Sequence, residues 1–512
     1  MRSRSSPSCR DDWQCGLAVA HVPRALRAAA GREPGKVAMV QGKKTRAFGA
    51  LAERVEALRN AAITALGVRK GDNVGIIARN CFEFIEVVAA LPDAGAAVAM
   101  VNPRGAPPEM AATLEDCGAT LVFADAQSAA FARTTGRQVI VFGEEYEVLL
   151  ANAAAPPNLP QIDEWDAWTI PYTSGTTGKP KGVVLSHRSR MLVAMICASE
   201  FGGFGPDDRF LAMSPMNHGG GLGFPVSILS LGGSIEILDK FDPEATLERL
   251  KFGGITGLFM VPTHFQMIFA LPPATLARYA RPETLKSILA NAAPLPQALK
   301  PRILEYFGET VLNELYAATE TGLVCNLRPR DQLRKASCVG TPFAHVEVEV
   351  RREDGSICHA DEVGELWSRG PVMFNGYWNR PEETARAIND GWVSVGDMAR
   401  RDAEGFLYIV DRLKDLVISG GVNIYPREIE EVLFTHPAIA DVAVVGVPDE
   451  TWGERLKIFA VLREPLTAED VGVFCTGKIA PYKIPKELEE MSELPRNANG
   501  KVLKTALRAR AA

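Results

Sequence analysis

Apolar positions fall into two rhythms along the first half of the chain. Residues 51–66 space them a helical turn apart among charged neighbours, a Gly-Val-Arg-Lys-Gly-Asp break follows at 67–72, and an unbroken apolar run fills 74–77. The first pattern predicts an amphipathic helix, the second a buried strand. A helix over 23–30 comes earlier, and the alternation continues with a helix over 81–91, an apolar run over 96–101, a helix over 108–117 and a strand over 120–123. It resumes with a helix over 189–201, strands over 210–214, 234–238 and 257–261, and a helix over 243–251. Short buried strands alternating with helices predict a doubly wound α/β sheet, whose ligands bind beyond the carboxyl ends of the strands. After residue 419 the mixture changes: a Gly-rich loop, a helix opened by Pro426, strands over 442–447 and 457–462, and a helix after the capping box Thr467-Ala-Glu-Asp470. That order suits a smaller α+β unit.

Composition narrows the class. The 512 residues carry a net charge of -6 with 23% charged side chains, which argues against a nucleic-acid-binding protein. No apolar run reaches the length of a membrane span. Nine cysteines without a C-x-x-C pair, and no apolar leader core near Arg2, Arg4 and Arg10, read as reduced thiols in a cytoplasmic protein. Residues 1–16 are Arg/Ser-rich and read as a polar tail.

The richest chemistry lies in residues 172–187, Y-T-S-G-T-T-G-K-P-K-G-V-V-L-S-H. Thr173, Ser174, Thr176 and Thr177 interleave with Gly175 and Gly178, so hydroxyls and backbone N–H groups can converge on an anion, and Lys179 and Lys181 add charge. It is not a Walker A loop: Pro180 follows Gly178-Lys179, and Thr173 stands where that pattern needs its first glycine. Strand-like stretches at 166–172 and 183–185 flank the loop, so it links two strands and has no helix dipole to use.

This loop resembles the signature of the adenylate-forming enzymes, which include acyl- and aryl-CoA synthetases, peptide-synthetase adenylation domains and luciferase. N-E-L-Y-A-A-T-E-T-G at 313–322, G-E-L-W-S-R-G-P from Gly364, G-Y-W-N-R from Gly376, G-W-V-S-V-G-D ending at Asp397, D-R-L-K-D from Asp411 and the C-terminal L-P-R-N-A-N-G-K ending at Lys501 are similar to that family's further motifs. The resemblance implies a large N-terminal domain (17–412) of doubly wound subdomains with an associated β-barrel. It also implies a small mobile α+β domain (413–512) hinged at Lys414. It further implies ATP-dependent activation of a carboxylic acid with Mg²⁺, followed by transfer to coenzyme A.

Residue by residue, the resemblance puts Tyr316 on adenine, Asp397 on the ribose hydroxyls, Arg412 on ribose or phosphate, Thr319 on a phosphate and Glu320 on the metal. Each fits its chemistry: a ring can stack on a base, a carboxylate can accept two hydroxyls, and a hard oxygen suits Mg²⁺. Lys501 would bridge the substrate carboxylate and the α-phosphate, and Gly420-Gly421 would flank the pantetheine channel after the hinge turns. His218, beside three glycines that leave open space, would stand at the mouth of the acyl pocket with Gly221, His264, Asn291 and Ala292, while Ala292 and Ala293 would border the adenine. Ala290 and Asn291 stand where many relatives carry glycine, and Ala317 replaces the glycine after the tyrosine, which matters if that backbone needs positive φ.

Residues 216–224, 261–268 and 289–295 contain no Arg, Lys, Asp or Glu. A second carboxylate or an amino group would need an opposite charge, so an apolar fatty or aryl acid is expected. Two rivals stay open: an enzyme that loads a carrier protein, and a non-catalytic acyl-adenylate sensor. A homodimer is allowed, and no internal repeat is present.

Overall fold

The computed structural model describes residues 21–174, 180–420, 422–496 and 502–511. Gly175, Thr176, Thr177, Gly178, Lys179, Gly421, Lys501 and the tail 1–16 lie outside these, as does the side chain of Ser174.

Two large sheets organise the N-terminal part. One runs in the spatial order Gln138–Val141, Leu121–Ala124, Asn73–Ile77, Ala97–Met100, Ala167–Ser174 and Pro180–Gly182; its first five strands are parallel and the last pairs antiparallel. The other has nine strands, with Ser234–Ile237, Arg209–Ala212, Gly257–Met260, Ser287–Ala290 and Leu312–Ala318 parallel at its centre. The expected α/β alternation is therefore present, with element ends within a few residues of those read from the pattern.

A single apolar core joins the two sheets. It includes Val74, Ile76 and Phe123 from the first, Phe210, Ile235 and Ile237 from the second, and the helices Phe82–Asp93 and Gly219–Ser230. Both helices are apolar almost all round, as elements covered on every side must be. The charges that enter this core are paired. Glu86 is fully buried and accepts from Arg54 Nε at 2.7 Å and from the Tyr146 hydroxyl at 2.9 Å. Asp93 takes Arg27 at 2.6 Å and Arg59 at 3.1 Å. Without such partners, either carboxylate would cost several kcal/mol to bury.

The β-barrel implied by the resemblance is represented by a six-stranded antiparallel sheet built from residues 347–412. Isolated bridges Gly340↔Leu407 and Val183↔Tyr377 tie this region to the rest. The C-terminal part has its own sheet, Val422–Ile424, Val417–Ser419, Gly453–Leu462 and Ile439–Asp449 with Glu487–Glu490 alongside, over a separate core that includes Ile429, Leu433, Val444 and Ile458. The capping box is formed: Thr467 Oγ1 accepts from Asp470 N at 3.2 Å, and Asp470 Oδ2 accepts from Thr467 N at 3.0 Å. No helix among the described residues is long and apolar enough to cross a membrane.

Candidate active site

The sequence-selected residues gather at the carboxyl ends of the parallel strands of the nine-stranded sheet. Arg209–Ala212 leads to His218, Gly257–Met260 to His264, Ser287–Ala290 to Asn291-Ala292-Ala293, and Leu312–Ala318 to Thr319-Glu320. This is where open α/β sheets place their ligands.

Tyr316, Asp397 and Arg412 meet. The Tyr316 hydroxyl donates to Asp397 Oδ2 at 2.5 Å, and Arg412 Nε lies 3.1 Å from Oδ1. Asp397 and Arg412 face each other across neighbouring antiparallel strands, so register alone fixes that pair. Burial, reinforced by Asp397, keeps the Tyr316 phenol protonated far above its ordinary range. Its hydroxyl is thus committed, and its ring packs against the apolar cluster that includes Val324 and Cys325. Each Asp397 oxygen keeps a second lone pair, enough to accept two hydroxyls from a sugar.

Thr319, Glu320 and Thr321 form the turn between Leu312–Ala318 and the antiparallel strand Gly322–Leu327. Ala317 stays out of the left-handed region and is absorbed by a β-bulge, so its replacement of glycine carries no φ penalty. The left-handed non-glycine backbone lies at Ala292 instead, with φ 77°. That conformation costs an alanine about 1–2 kcal/mol. Its N–H donates to Asn291 Oδ1, which gives Asn291 a local reason to stand there.

Glu320 Oε1 accepts from the Tyr377 hydroxyl at 2.9 Å, and the Glu320 carbonyl accepts from Phe374 N at 2.9 Å. Its second oxygen accepts nothing among the described residues. No cluster of three or more His, Cys, Asp or Glu is gathered among those residues. A magnesium ion carried by phosphates needs only one or two carboxylates, and Glu320 fits that requirement.

His218 caps the helix Gly219–Ser230, and its Nε2 lies 3.2 Å from Asn217 Nδ2. Only part of the expected open space is found. A Cβ on Gly219 would meet nothing, one on Gly220 would touch the Phe259 ring at 3.0 Å, and one on Gly221 would lie 1.9 Å from the Pro215 carbonyl. The three glycines open a helix, and Gly221 is the one whose close approach to the Pro215 carbonyl excludes a side chain. Burial lowers the pKa of His218 to about 4, aided by the nearby charge of Arg104. Burial alone brings His264 to about 4; that ring stacks on Phe241 with centroids 4.1 Å apart. Both imidazoles are neutral at pH 7 and can donate or accept but cannot pair with an anion.

Positive charge does reach His218 from outside the three charge-free windows. Two arginines outside the charge-free windows stand without a carboxylate partner among the described residues. Arg104 influences His218 directly. Arg190 is half-buried on the helix His187–Glu200, and its nearest partners are Ser189 Oγ at 3.3 Å and the Val372 carbonyl at 3.4 Å. Burial lowers its pKa to about 10.

The Gly-rich loop is bracketed by paired strands as expected: Thr173 and Ser174 pair with Lys181 and Pro180 across residues 175–179. Lys181 pairs with Glu383 and lies 5.2 Å from the Tyr377 ring centre. Tyr377 was visible in the sequence only as part of a motif match; nothing in its spacing pointed to Glu320.

Lys414 sits in the short 3-10 turn Leu413–Asp415. Burial, helped by Arg412, holds its pKa below the usual lysine range. On either side Asp411 accepts from Arg427 N at 3.1 Å and Asp415 takes Arg508 at 2.9 Å, so the segment is anchored to the C-terminal unit at two points. Gly420 has φ 58°, and a Cβ there would lie 2.8 Å from the Trp452 ring, so only glycine fits. Arg496 and Val502 bridge antiparallel across residues 497–501, the stretch that includes Lys501.

Comparison with known proteins places the chain in a family. The AMP-binding enzyme family profile matches residues 26–378, and the AMP-binding enzyme C-terminal domain matches residues 428–501. The 2-succinylbenzoate–CoA ligase of Geobacillus sp. (strain WCH70) is 34% identical over 490 residues, spanning 95% of this chain and 97% of that protein. Among solved structures, the o-succinylbenzoate CoA synthetase of Bacillus subtilis, in complex with its acyl-adenylate intermediate, superimposes with a TM-score of 0.85. It is 29% identical and covers 95% of this chain and 98% of that one. ATP-bound MatB of Rhodopseudomonas palustris gives 0.87 at 28% identity over 96% and 98% of the two chains.

Proposed function

The chain belongs to the AMP-binding enzyme family and is an AMP-forming acid–CoA ligase that uses ATP, Mg²⁺ and coenzyme A, and from that premise we propose that its acid is aromatic. The observation that carries this reading is the near-full-length similarity to ligases named for 2-succinylbenzoate, an aryl acid. Support comes from the surroundings of His218 and His264, where neutral imidazoles and the rings of Phe241 and Phe259 offer stacking surface. The fatty-acid alternative has the support of the Mycobacterium tuberculosis fatty acyl CoA synthetase, 31% identical, but that structure superimposes less well, with a TM-score of 0.76 against 0.85.

In the first step the acid's carboxylate attacks the α-phosphate of ATP, forming the acyl-phosphate bond as the bond to pyrophosphate breaks. The protein supplies alignment and charge, with no covalent nucleophile. We assign adenine to Tyr316, the ribose to Asp397 and Arg412, the departing phosphates to the loop 173–181 with Thr319, and the α-phosphate and acid to Lys501. Magnesium, when bound with the nucleotide, stabilises negative charge on the phosphates; Glu320 would hold it. In the second step the coenzyme A thiol displaces AMP from the acyl-adenylate. We place the domain boundary near residue 413, with Lys414 as the hinge that exchanges Lys501 for the Gly420 loop.

Arg104 favours a second reading within the aryl class, an acid bearing another anionic group. Its exposed guanidinium has no carboxylate partner among the described residues and its charge reaches His218, so a second anion on an acid bound there would meet an opposite charge. One experiment separates the readings: acid-dependent AMP release with coenzyme A, over linear, aromatic and carboxy-substituted aromatic acids. Fastest turnover with unsubstituted aryl acids supports the first reading, and with carboxy-substituted ones the second. Preference for linear acids would overturn both.

A further inference from the structure

Residues 374–384 join the phosphate loop to the metal carboxylate. On the outgoing limb of the loop, Trp378 N donates to the Gly182 carbonyl at 2.8 Å, Val184 N to the Gly376 carbonyl at 2.9 Å, and Asn375 N to the Val184 carbonyl at 2.8 Å. On the incoming limb, the Tyr172 hydroxyl donates to Asp116 Oδ2 at 2.8 Å, and Asp116 in turn pairs with Arg380. The same segment reaches Glu320 twice, through Phe374 N to its carbonyl and through the Tyr377 hydroxyl to its carboxylate. Gly376 permits this close course, because a Cβ there would lie 2.8 Å from Thr384 Cγ2.

We infer that Tyr377 is a positioning residue for the metal: its hydroxyl fixes the rotation of the Glu320 carboxylate so that the other oxygen, Oε2, faces a cation carried by the nucleotide phosphates. Three features support the assignment. The bond uses one carboxylate oxygen and leaves the other without a partner among the described residues. The Tyr377 main chain is held by Thr384 Oγ1, which accepts from Tyr377 N at 2.9 Å, so the backbone that carries the ring is anchored. Lys181, at the end of the phosphate loop, lies against the same ring, so the loop's outgoing limb and the carboxylate share one support. A carboxylate held by one hydrogen bond meets a metal with less loss of rotational freedom than a free one.

The inference rests on the ATP-binding reading above, and its test separates the two. Tyr377→Phe keeps the ring and removes only the hydroxyl. ATP binding is measured by calorimetry with excess Mg²⁺ and, separately, with a chelator. The variant's affinity for ATP with Mg²⁺ should fall about tenfold, the range expected for losing a hydrogen bond to a charged group. Its affinity for metal-free ATP and its melting temperature without nucleotide should match the wild type. Equal loss with and without metal, no loss at all, or a lowered melting temperature would overturn the assignment. Wild-type protein that binds no ATP would instead sink the reading on which it rests.

Discussion

Asp397→Ala removes a carboxylate that is 4% exposed and accepts from Tyr316 at 2.5 Å and from Arg412 at 3.1 Å. If its remaining lone pairs hold the two ribose hydroxyls, each bond to the ionised group contributes about 1.5–3 kcal/mol. Water repays part of that on removal, so ATP binding should weaken by about 2–4 kcal/mol, or roughly 30- to 1000-fold. The substitution also strips Arg412 of its counter-charge and Tyr316 of its acceptor, so a simple loss of affinity would be ambiguous. Titrating ATP and 2′,3′-dideoxy-ATP into both proteins by calorimetry resolves this, because the two changes form a cycle. Deleting the hydroxyls from the ligand should cost the wild type the same amount as the mutation costs ATP, and should cost the variant almost nothing. Equal losses in both proteins would refute the ribose contact and leave Asp397 as a purely structural partner of Tyr316 and Arg412.

Two other outcomes follow from named groups. Lys501→Ala should abolish acyl-adenylate formation yet spare thioester formation from supplied acyl-adenylate; equal loss of both half-reactions contradicts the role given to Lys501. His21 lies against His187, with ring centroids 4.3 Å apart and planes tilted by 38°, and neither ring finds a hydrogen-bond partner for its nitrogens among the described residues. Burial lowers His21 to about 4 from 6.5, so the unfolded chain takes up the proton first and stability is complete above pH 6.5 and lost as pH falls towards 4. Full protonation of His21 costs about 3 kcal/mol. The urea midpoint should therefore drop between pH 6.5 and 4.5, and less steeply in His21→Gln; a flat midpoint, or the same slope in both proteins, contradicts this.

Much of the fold could be read from the chain because short buried strands and amphipathic helices have separable periods. The helices 51–66, 81–91 and 108–117 each reappear close to their expected ends. The Gly219–Ser230 helix did not announce itself, since glycine disfavours helix and tertiary packing, seen in the Gly221 contact with Pro215, decides there. The motif residues were legible as a set, but their mutual bonds were not. That Tyr316 spends its hydroxyl on Asp397, 81 positions away, depends on two strands meeting in space. The charge acting on His218 was missed for the same reason: Arg104 lies outside the windows that suggested an uncharged pocket. Tyr377 carried a motif match and no visible task until its hydroxyl was seen against Glu320.

The central claim is that this chain joins an aryl acid to coenzyme A through an acyl-adenylate. It is tested most directly by incubating the protein with ATP, Mg²⁺, coenzyme A and an aryl acid, then following thioester, AMP and pyrophosphate together. Equal yields of all three, dependent on the acid, are predicted. Release of ADP and phosphate, or AMP without thioester when coenzyme A is saturating, would contradict the claim.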